Sequence, residues 1–266
     1  MRPLSSSLAH VFDFDNVFYD SSKFEDYNAF CVAALADAAM SLPVLKKAGL
    51  THEEAVLLAD SGYQTYRDTF TSFCLWGGLR GIPKEDIIAP IYREYNVRIK
   101  TAFLQYYPQL VKNRTDLQQA FRLTDGHVLQ GIASHSCRQN LLLPLVENMG
   151  IRQHFQEHAI CGLEQSEFKL KHITPTLVER SFAALGVDPN EGTFPEDTVA
   201  NLLVMKDHYP GCLTVHIHHG RPLDKKPSYV DFEFHDIPEM KRAWQADKDR
   251  GTKVIYSLPD REAPSP

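Results

Sequence analysis

The stretch that most constrains this chain is Leu8 to Asp20, LAHVFDFDNVFYD. A short apolar run, Leu8 to Phe12, stops at Asp13-Phe14-Asp15-Asn16 and resumes at Val17-Phe18-Tyr19. Runs of this length between polar punctuation read as strands of a parallel sheet covered on both faces, where inside–outside alternation is lost. Carboxylates at the end of such a strand are costly to bury, and the carboxyl ends of the strands in an open α/β sheet are where ligands bind. Asp13 and Asp15 stand at i and i+2 and face the same way if the strand runs on; a loop beginning at Asp15 lets the second lean over the first. Such a pair suits a nucleophile with an acid–base partner, or two ligands of one hard cation. The same residues also suit a plain turn or a helix cap, since Asp and Asn favour both. Partners at other strand ends decide between these readings.

The 266 residues allow a sizeable core, as one large domain or two smaller ones. A net charge of −6, with no basic cluster, argues against a surface that tracks a nucleic-acid backbone. Five cysteines without a C-x-x-C pair give neither a disulfide framework nor a zinc site. They read as reduced thiols of a cytoplasmic protein, Cys31 and Cys161 in its core. No apolar leader and no membrane-length stretch is present. The sequon Asn113-Arg114-Thr115 carries no meaning in that setting.

After Tyr19 the pattern turns helical. Phe24 to Met40 is alanine-rich with apolar positions three and four apart. Val44 to Ala48 is stopped by Gly49, and Thr51 with Glu54 forms a capping-box pattern opening a helix to about Tyr66. Phe70 to Leu79 ends at Gly77-Gly78, and Lys84 to Tyr95 is again helical. No strand pattern interrupts Lys23 to about Gln105, so this block reads as a helical insertion. From Asn113 an α/β rhythm resumes. Strands are predicted at His127–Ala133, His158–Cys161, Gly192–Pro195, Cys212–His216 and Tyr229–Phe234. Helices are predicted at Leu117–Leu123, Arg138–Met149, Pro175–Leu185, Val199–Asp207 and Ile237–Asp247, with a weakly ordered tail after Gly251. Repeated strand–helix units imply a parallel sheet.

Four strand ends then carry the groups of a phosphoryl site. They offer the carboxylates Asp13 and Asp15, the hydroxyl Ser134, a lysine at 169 or 171, and the oxygen ligands Glu196 and Asp197 for a Mg²⁺ that Asp13 would share. Phosphoryl transfer depends mainly on positioning and charge stabilisation, for which this set suffices.

HVFDFDNV, GIAS ending at Ser134 and TFPEDTVANL with Glu196-Asp197 resemble the first, second and fourth motifs of the haloacid dehalogenase (HAD) superfamily, in its phosphatase branch. The third, a lysine usually followed by proline, is irregular: Lys171 precedes His172, with Pro175 further on, and Lys169 is the alternative. DNVFYD, the helical insertion and PEDTVANL together resemble pyrimidine 5′-nucleotidase-like members, although His135 stands where these often carry asparagine.

The resemblance implies a Rossmann-like α/β core with a parallel sheet and helices on both faces, formed by residues 1–20 and 113–266. An all-helical cap of the C1 type would occupy residues 21–112. It implies an Mg²⁺-dependent phosphomonoesterase acting on a small phosphate ester, nucleoside 5′-monophosphates first, with no nucleic-acid polymer or membrane as partner. Asp13 would be the nucleophile and Asp15 the acid–base group. Ser134 and Lys171 would bind the phosphoryl oxygens. Asp13, Asp15 through its main-chain carbonyl, Asp197 and, through a water, Glu196 would hold the metal. A sugar phosphatase, a phosphomutase or a regulatory module without turnover are the alternatives.

Two further patterns have competing readings. His216, His218 and His219 suggest a metal site but suit a strand-end loop better, since no fourth ligand is evident. Tyr63, Tyr66 and Phe70 could stack on a base, though aromatics at helical spacing usually pack inward. The Gly77-Gly78 pair beside Trp76 fits a substrate loop or a helix stop, and Lys225-Lys226 fits a solvated surface.

Overall fold

The computed structural model describes residues 2–23, 26–66 and 70–256, with the side chains of 63, 66 and 252–256 excepted. The expected helix start at Phe24, the stacking roles of Tyr63 and Tyr66 and the chain end beyond 256 lie outside the described residues.

Six strands form one parallel sheet: β1 (Ala9–Phe12), β2 (Leu129–Ala133), β3 (Ile160–Cys161), β4 (Gly192–Glu196), β5 (Leu213–Ile217) and β6 (Phe232–Phe234). Their order is β3-β2-β1-β4-β5-β6, every neighbouring pair being parallel. The chain therefore builds outward from β1 in one direction and then, from β4, in the other. Reversal of strand order beside β1 opens a crevice at the carboxyl ends of β1, β2 and β4.

Helices cover both faces. α7 (Thr115–Arg122), α8 (Leu143–Asn148) and α11 (Ile237–Tyr256) pack with Phe12, Ile132, Ile160 and Val215, around Phe121, Leu145, Met240 and Trp244. α9 (Thr176–Leu185) and α10 (Val199–His208) pack on the opposite face with Ala9, Val11, Ala133 and Phe194. Each large apolar side chain sealed in these layers contributes roughly 1.5–3 kcal/mol.

Between β1 and β2 run α1 (Tyr27–Ser41), α2 (Pro43–Lys47), α3 (His52–Tyr66), α4 (Thr71–Gly78), α5 (Glu85–Tyr106) and α6 (Pro108–Val111). α1, α3, α4 and α5 enclose an apolar cluster of their own, including Leu35, Ala39, Phe73, Trp76 and Ile91, which Cys137 and Leu163 touch from the α/β body. The capping box forms: Thr51 N–H donates to Glu54 at 3.0 Å and Glu54 N–H to the Thr51 hydroxyl at 3.2 Å. Gly186, at φ +70°, ends α9 in the left-handed region that glycine enters without strain.

Three elements differ from expectation. α5 continues past Tyr95 to Tyr106, because Ile99, Ala102 and Phe103 extend the buried stripe of Ile91 and Tyr92. α11 extends beyond Asp247. The predicted helix Arg138–Met149 opens instead as a π-helical turn over Arg138–Leu142, where Leu142 N–H reaches the Cys137 carbonyl at 3.0 Å. Pro144 has no N–H to return to residue 140, and the wider turn accommodates its ring. Among the described residues no helix is long and apolar enough to cross a membrane.

Candidate active site

β1 ends at Phe12, and the next N–H, that of Asp13, donates to the Pro195 carbonyl at 2.9 Å, tying the ends of β1 and β4. Phe14 turns into the core and stacks on Phe18 with ring centroids 5.0 Å apart. Asn16 adopts φ +56°, a conformation asparagine tolerates better than most residues, and its side chain accepts from Ser21 N–H at 3.2 Å. The reversal at Asn16 follows directly on Asp15 and ends the extended path there.

Asp13 sits on one side of Lys171 and Glu196 on the other. Lys171 Nζ is 2.6 Å from Asp13 Oδ1 and 2.8 Å from Glu196 Oε2, all three groups being almost fully buried. The two contacts differ in quality. Glu196 Oε2 receives an aligned hydrogen bond from the ammonium, with a second from Asn201 Nδ2 at 2.9 Å, and Oε1 accepts Thr198 N–H at 3.0 Å. Asp13 Oδ1 has charge contact with Lys171 but no aligned hydrogen bond. The titration behaviour follows. Burial works against Glu196, but the Lys171 charge and its hydrogen bonds hold its carboxyl down at about 2. Burial and the Glu196 charge push Asp13 well above the usual carboxylate range, which Lys171 offsets only in part. Lys171 is itself held above the usual lysine range by Asp13 and Glu196, against burial. One cation is thus shared by two carboxylates, and Glu196 has the better share.

Asp197 joins the group. Asp13, Glu196 and Asp197 each present a carboxylate oxygen within 4.8 Å of the others, the single such cluster of His, Cys, Asp or Glu among the described residues. Burial and the Glu196 charge also raise Asp197, although it keeps some exposure. Three carboxylates around one ammonium, with a buried oxygen of Asp13 lacking an aligned donor, fit a hard divalent cation such as Mg²⁺, which takes oxygen ligands and reverses the charge balance.

Asp15 is held differently. Its Oδ1 accepts from the Tyr19 phenol at 2.5 Å, and its Oδ2 from Ser136 at 2.7 Å and from Ser134 at 3.2 Å. Its carboxylate stands outside the metal-ligand cluster, leaving the main-chain carbonyl as the ligand the resemblance assigns to it. Hydroxyls both donate and accept, so this shell tolerates a carboxyl group that gains and loses a proton. Ser134 lies at the end of β2, with its oxygen also accepting Ser136 N–H at 3.1 Å.

The structure brings Asp13, Lys171, Glu196 and Asp197 together and sets Asp15 beside Ser134. Lys169 stands apart, exposed, its Nζ 3.9 Å from Glu167. His135 turns inward: its Nε2 accepts Lys171 N–H at 2.9 Å, and burial and the Lys171 charge lower the imidazole to about 3. An acceptor ring nitrogen fixes the main chain on which Lys171 stands. Cys161 is core, whereas Cys31 is half-buried against it. The histidine run belongs to the end of β5: His216 Nδ1 is 3.2 Å from Glu233, and His218 lies edge-on to His235. Among the described residues these groups form no metal-ligand cluster. Sequence reasoning missed Tyr19, Ser136 and Asn201. Their signals are positional: Tyr19 is one helical turn after Asp15, Ser136 two residues after Ser134, and Asn201 in the first turn of α10.

No protein-family model matches the sequence, and no curated protein resembles it significantly. Solved structures do match over nearly the whole chain. The β-phosphoglucomutase of Clostridium difficile is 13% identical with a TM-score of 0.57, covering 93% of this chain and 99% of its own. CbbY of Rhodobacter sphaeroides, in complex with phosphate, is 15% identical with a TM-score of 0.53, covering 88% and 96%. A HAD family hydrolase of Deinococcus radiodurans, with bound phosphate and sodium, is 17% identical with a TM-score of 0.51, covering 92% and 97%. At these identities the likeness is one of architecture: the chain has the parallel α/β fold of HAD-type hydrolases.

Proposed function

We propose that the chain is a phosphomonoesterase of the HAD type, acting through an aspartyl phosphate on a small phosphate ester. The observation that carries this reading is the convergence of Asp13, Lys171, Glu196 and Asp197 at the switch point of the sheet, with Asp15 alongside. An Asp13 oxygen attacks phosphorus and the phosphorus–oxygen bond to the leaving group breaks as Asp15 gives it a proton. Water then attacks the aspartyl phosphate, Asp15 takes its proton, and phosphate leaves Asp13 as a free carboxylate. Lys171 and the Ser134 hydroxyl would neutralise and orient the phosphoryl oxygens. Asp13, Asp197, the Asp15 main-chain carbonyl and, through a water, Glu196 would hold Mg²⁺, which supplies charge stabilisation for the phosphoryl group.

On this reading residues 21–112 are the cap, closing over a core of residues 1–20 and 113–266. Nucleoside 5′-monophosphates, pyrimidine ones first, are the proposed substrate class, supported by the motif resemblance.

Hydrolysis of p-nitrophenyl phosphate with Mg²⁺ is expected for the wild type and at least a 10³-fold loss for Asp13→Asn; equal rates reject Asp13 as nucleophile. Mg²⁺ is expected to raise the melting temperature of the wild type, by the equivalent of about 2.7 kcal/mol at a hundred times its Kd, and not that of Asp197→Asn. A panel of nucleoside and sugar monophosphates, followed by phosphate release, tests the substrate class.

A further inference from the structure

Tyr19 is buried, and its hydroxyl does not stand alone. Behind the bond to Asp15 Oδ1 stand Tyr27, Cys31 and Tyr95, packed against the same apolar cluster as Tyr19. A carboxylate only accepts, so the Tyr19 hydroxyl is the donor of that bond. Tyr27 and Cys31 belong to α1 and Tyr95 to α5, so two helices of the inserted segment pack behind the phenol that holds the carboxylate beyond β1. Phenylalanine at 19 would fill nearly the same space without a polar atom to satisfy, so packing alone does not account for its hydroxyl.

We propose that Tyr19, backed by Tyr27, Cys31 and Tyr95, is a positioning residue that holds the Asp15 carboxyl in the orientation from which its proton reaches the departing ester oxygen. The proposal rests on the phosphomonoesterase reading above. Ser134 and Ser136 steady the other carboxyl oxygen, so loss of the Tyr19 hydroxyl leaves Asp15 present but free to turn about Oδ2.

The test separates orientation of the acid from general damage. A p-nitrophenolate leaves without needing a proton, whereas an alkoxide needs one in the transition state. Tyr19→Phe is expected to lower kcat/KM on glycerol 2-phosphate, which covers the steps up to departure of the alcohol, by about 10–100-fold, part of the 10²–10⁴ of general acid catalysis. On p-nitrophenyl phosphate the loss in kcat/KM is expected to stay under about 3-fold. Ser136→Ala, which removes a donor from the other carboxyl oxygen and lies outside the core site of Tyr19, is expected to show the same ester selectivity. Equal losses on the two esters, or none, in both variants overturn the proposal while leaving the phosphatase reading intact, provided wild type is active and Asp13→Asn is not. Wild type and Asp13→Asn both inactive on both esters overturn the reading and the proposal together.

Discussion

His135 illustrates how one buried side chain sets both local geometry and response to acid. It must stay neutral to accept the Lys171 N–H, and its pKa lies near 3 against an ordinary value of 6.5. As pH falls below about 6.5 the unfolded chain takes up this proton and the folded one does not, so stability drops through the window from 6.5 to 3. One proton sets a ceiling of about 1.4 kcal/mol per pH unit on the slope from this group, and the partial exposure of the residue keeps it below that ceiling. Urea unfolding between pH 4 and 7 is expected to show a shallower pH dependence in His135→Asn, whose carbonyl can still accept from the lysine main chain. Acid sensitivity identical in the two proteins would refute this. At the same scale, Asp13, Asp15, Glu196 and Asp197 were legible because carboxylates at the ends of apolar runs have no cheap structural reason to be there. The irregular motif names Lys171 with Lys169 as its alternative, and the structure sets the two in different surroundings, one buried against Asp13 and the other on the surface. Tyr19 and Ser136 were not legible, because a tyrosine in an aromatic run and a second serine look like packing and solvation until Asp15 is placed beside them.

Elements were read well where periodicity was the cause and poorly where backbone chemistry intervened. Strands β1, β2 and β4 carry apolar runs closed by polar groups, and each was placed to within a few residues. The π-helical turn before α8 was not anticipated, since apolar spacing cannot reveal a hydrogen bond that Pro144 fails to make. The fit between β4 and α9 gives a direct test. A Cβ at Gly192 would run into the ring of Phe182, a fully buried residue of α9. Gly192→Ala is therefore expected to destabilise the protein by about 1–3 kcal/mol, the usual cost of overpacking, measured by denaturant midpoint. Shrinking the ring in the double variant with Phe182→Leu is expected to recover part of that loss, and the absence of recovery would place the strain elsewhere.

Across the whole molecule, α11 is fastened to the sheet by a polar contact inside an aromatic core. Lys241 Nζ lies 2.9 Å from His10 Nδ1, 3.0 Å from Thr124 Oγ1 and 3.0 Å from Gln130 Oε1, with the rings of Phe12 and Phe121 about its ammonium. Burial drives its pKa well down, with Asp125 pulling the other way. Lys241→Met would leave the Gln130 carbonyl and the His10 nitrogen without their donor, for an expected loss of about 1–3 kcal/mol in urea unfolding and no change in turnover per folded molecule. A variant as stable as the wild type would show the contact to be dispensable. The helical insertion and the parallel sheet were legible because an uninterrupted helical block followed by alternating units has few other solutions. Strand order was not, since it depends on pairings between distant segments.

That order also sets a timetable. The strand that leads into Asp13 is made first yet sits between two neighbours made much later, and the carboxylates that cluster with Asp13 arrive with the last of them. At about 5–20 residues per second, a ribosome needs roughly ten to forty seconds to pass from Asp13 to Asp197. Until then an apolar segment lacks its second flank, and the growing chain cannot assemble the three-carboxylate cluster of its finished form.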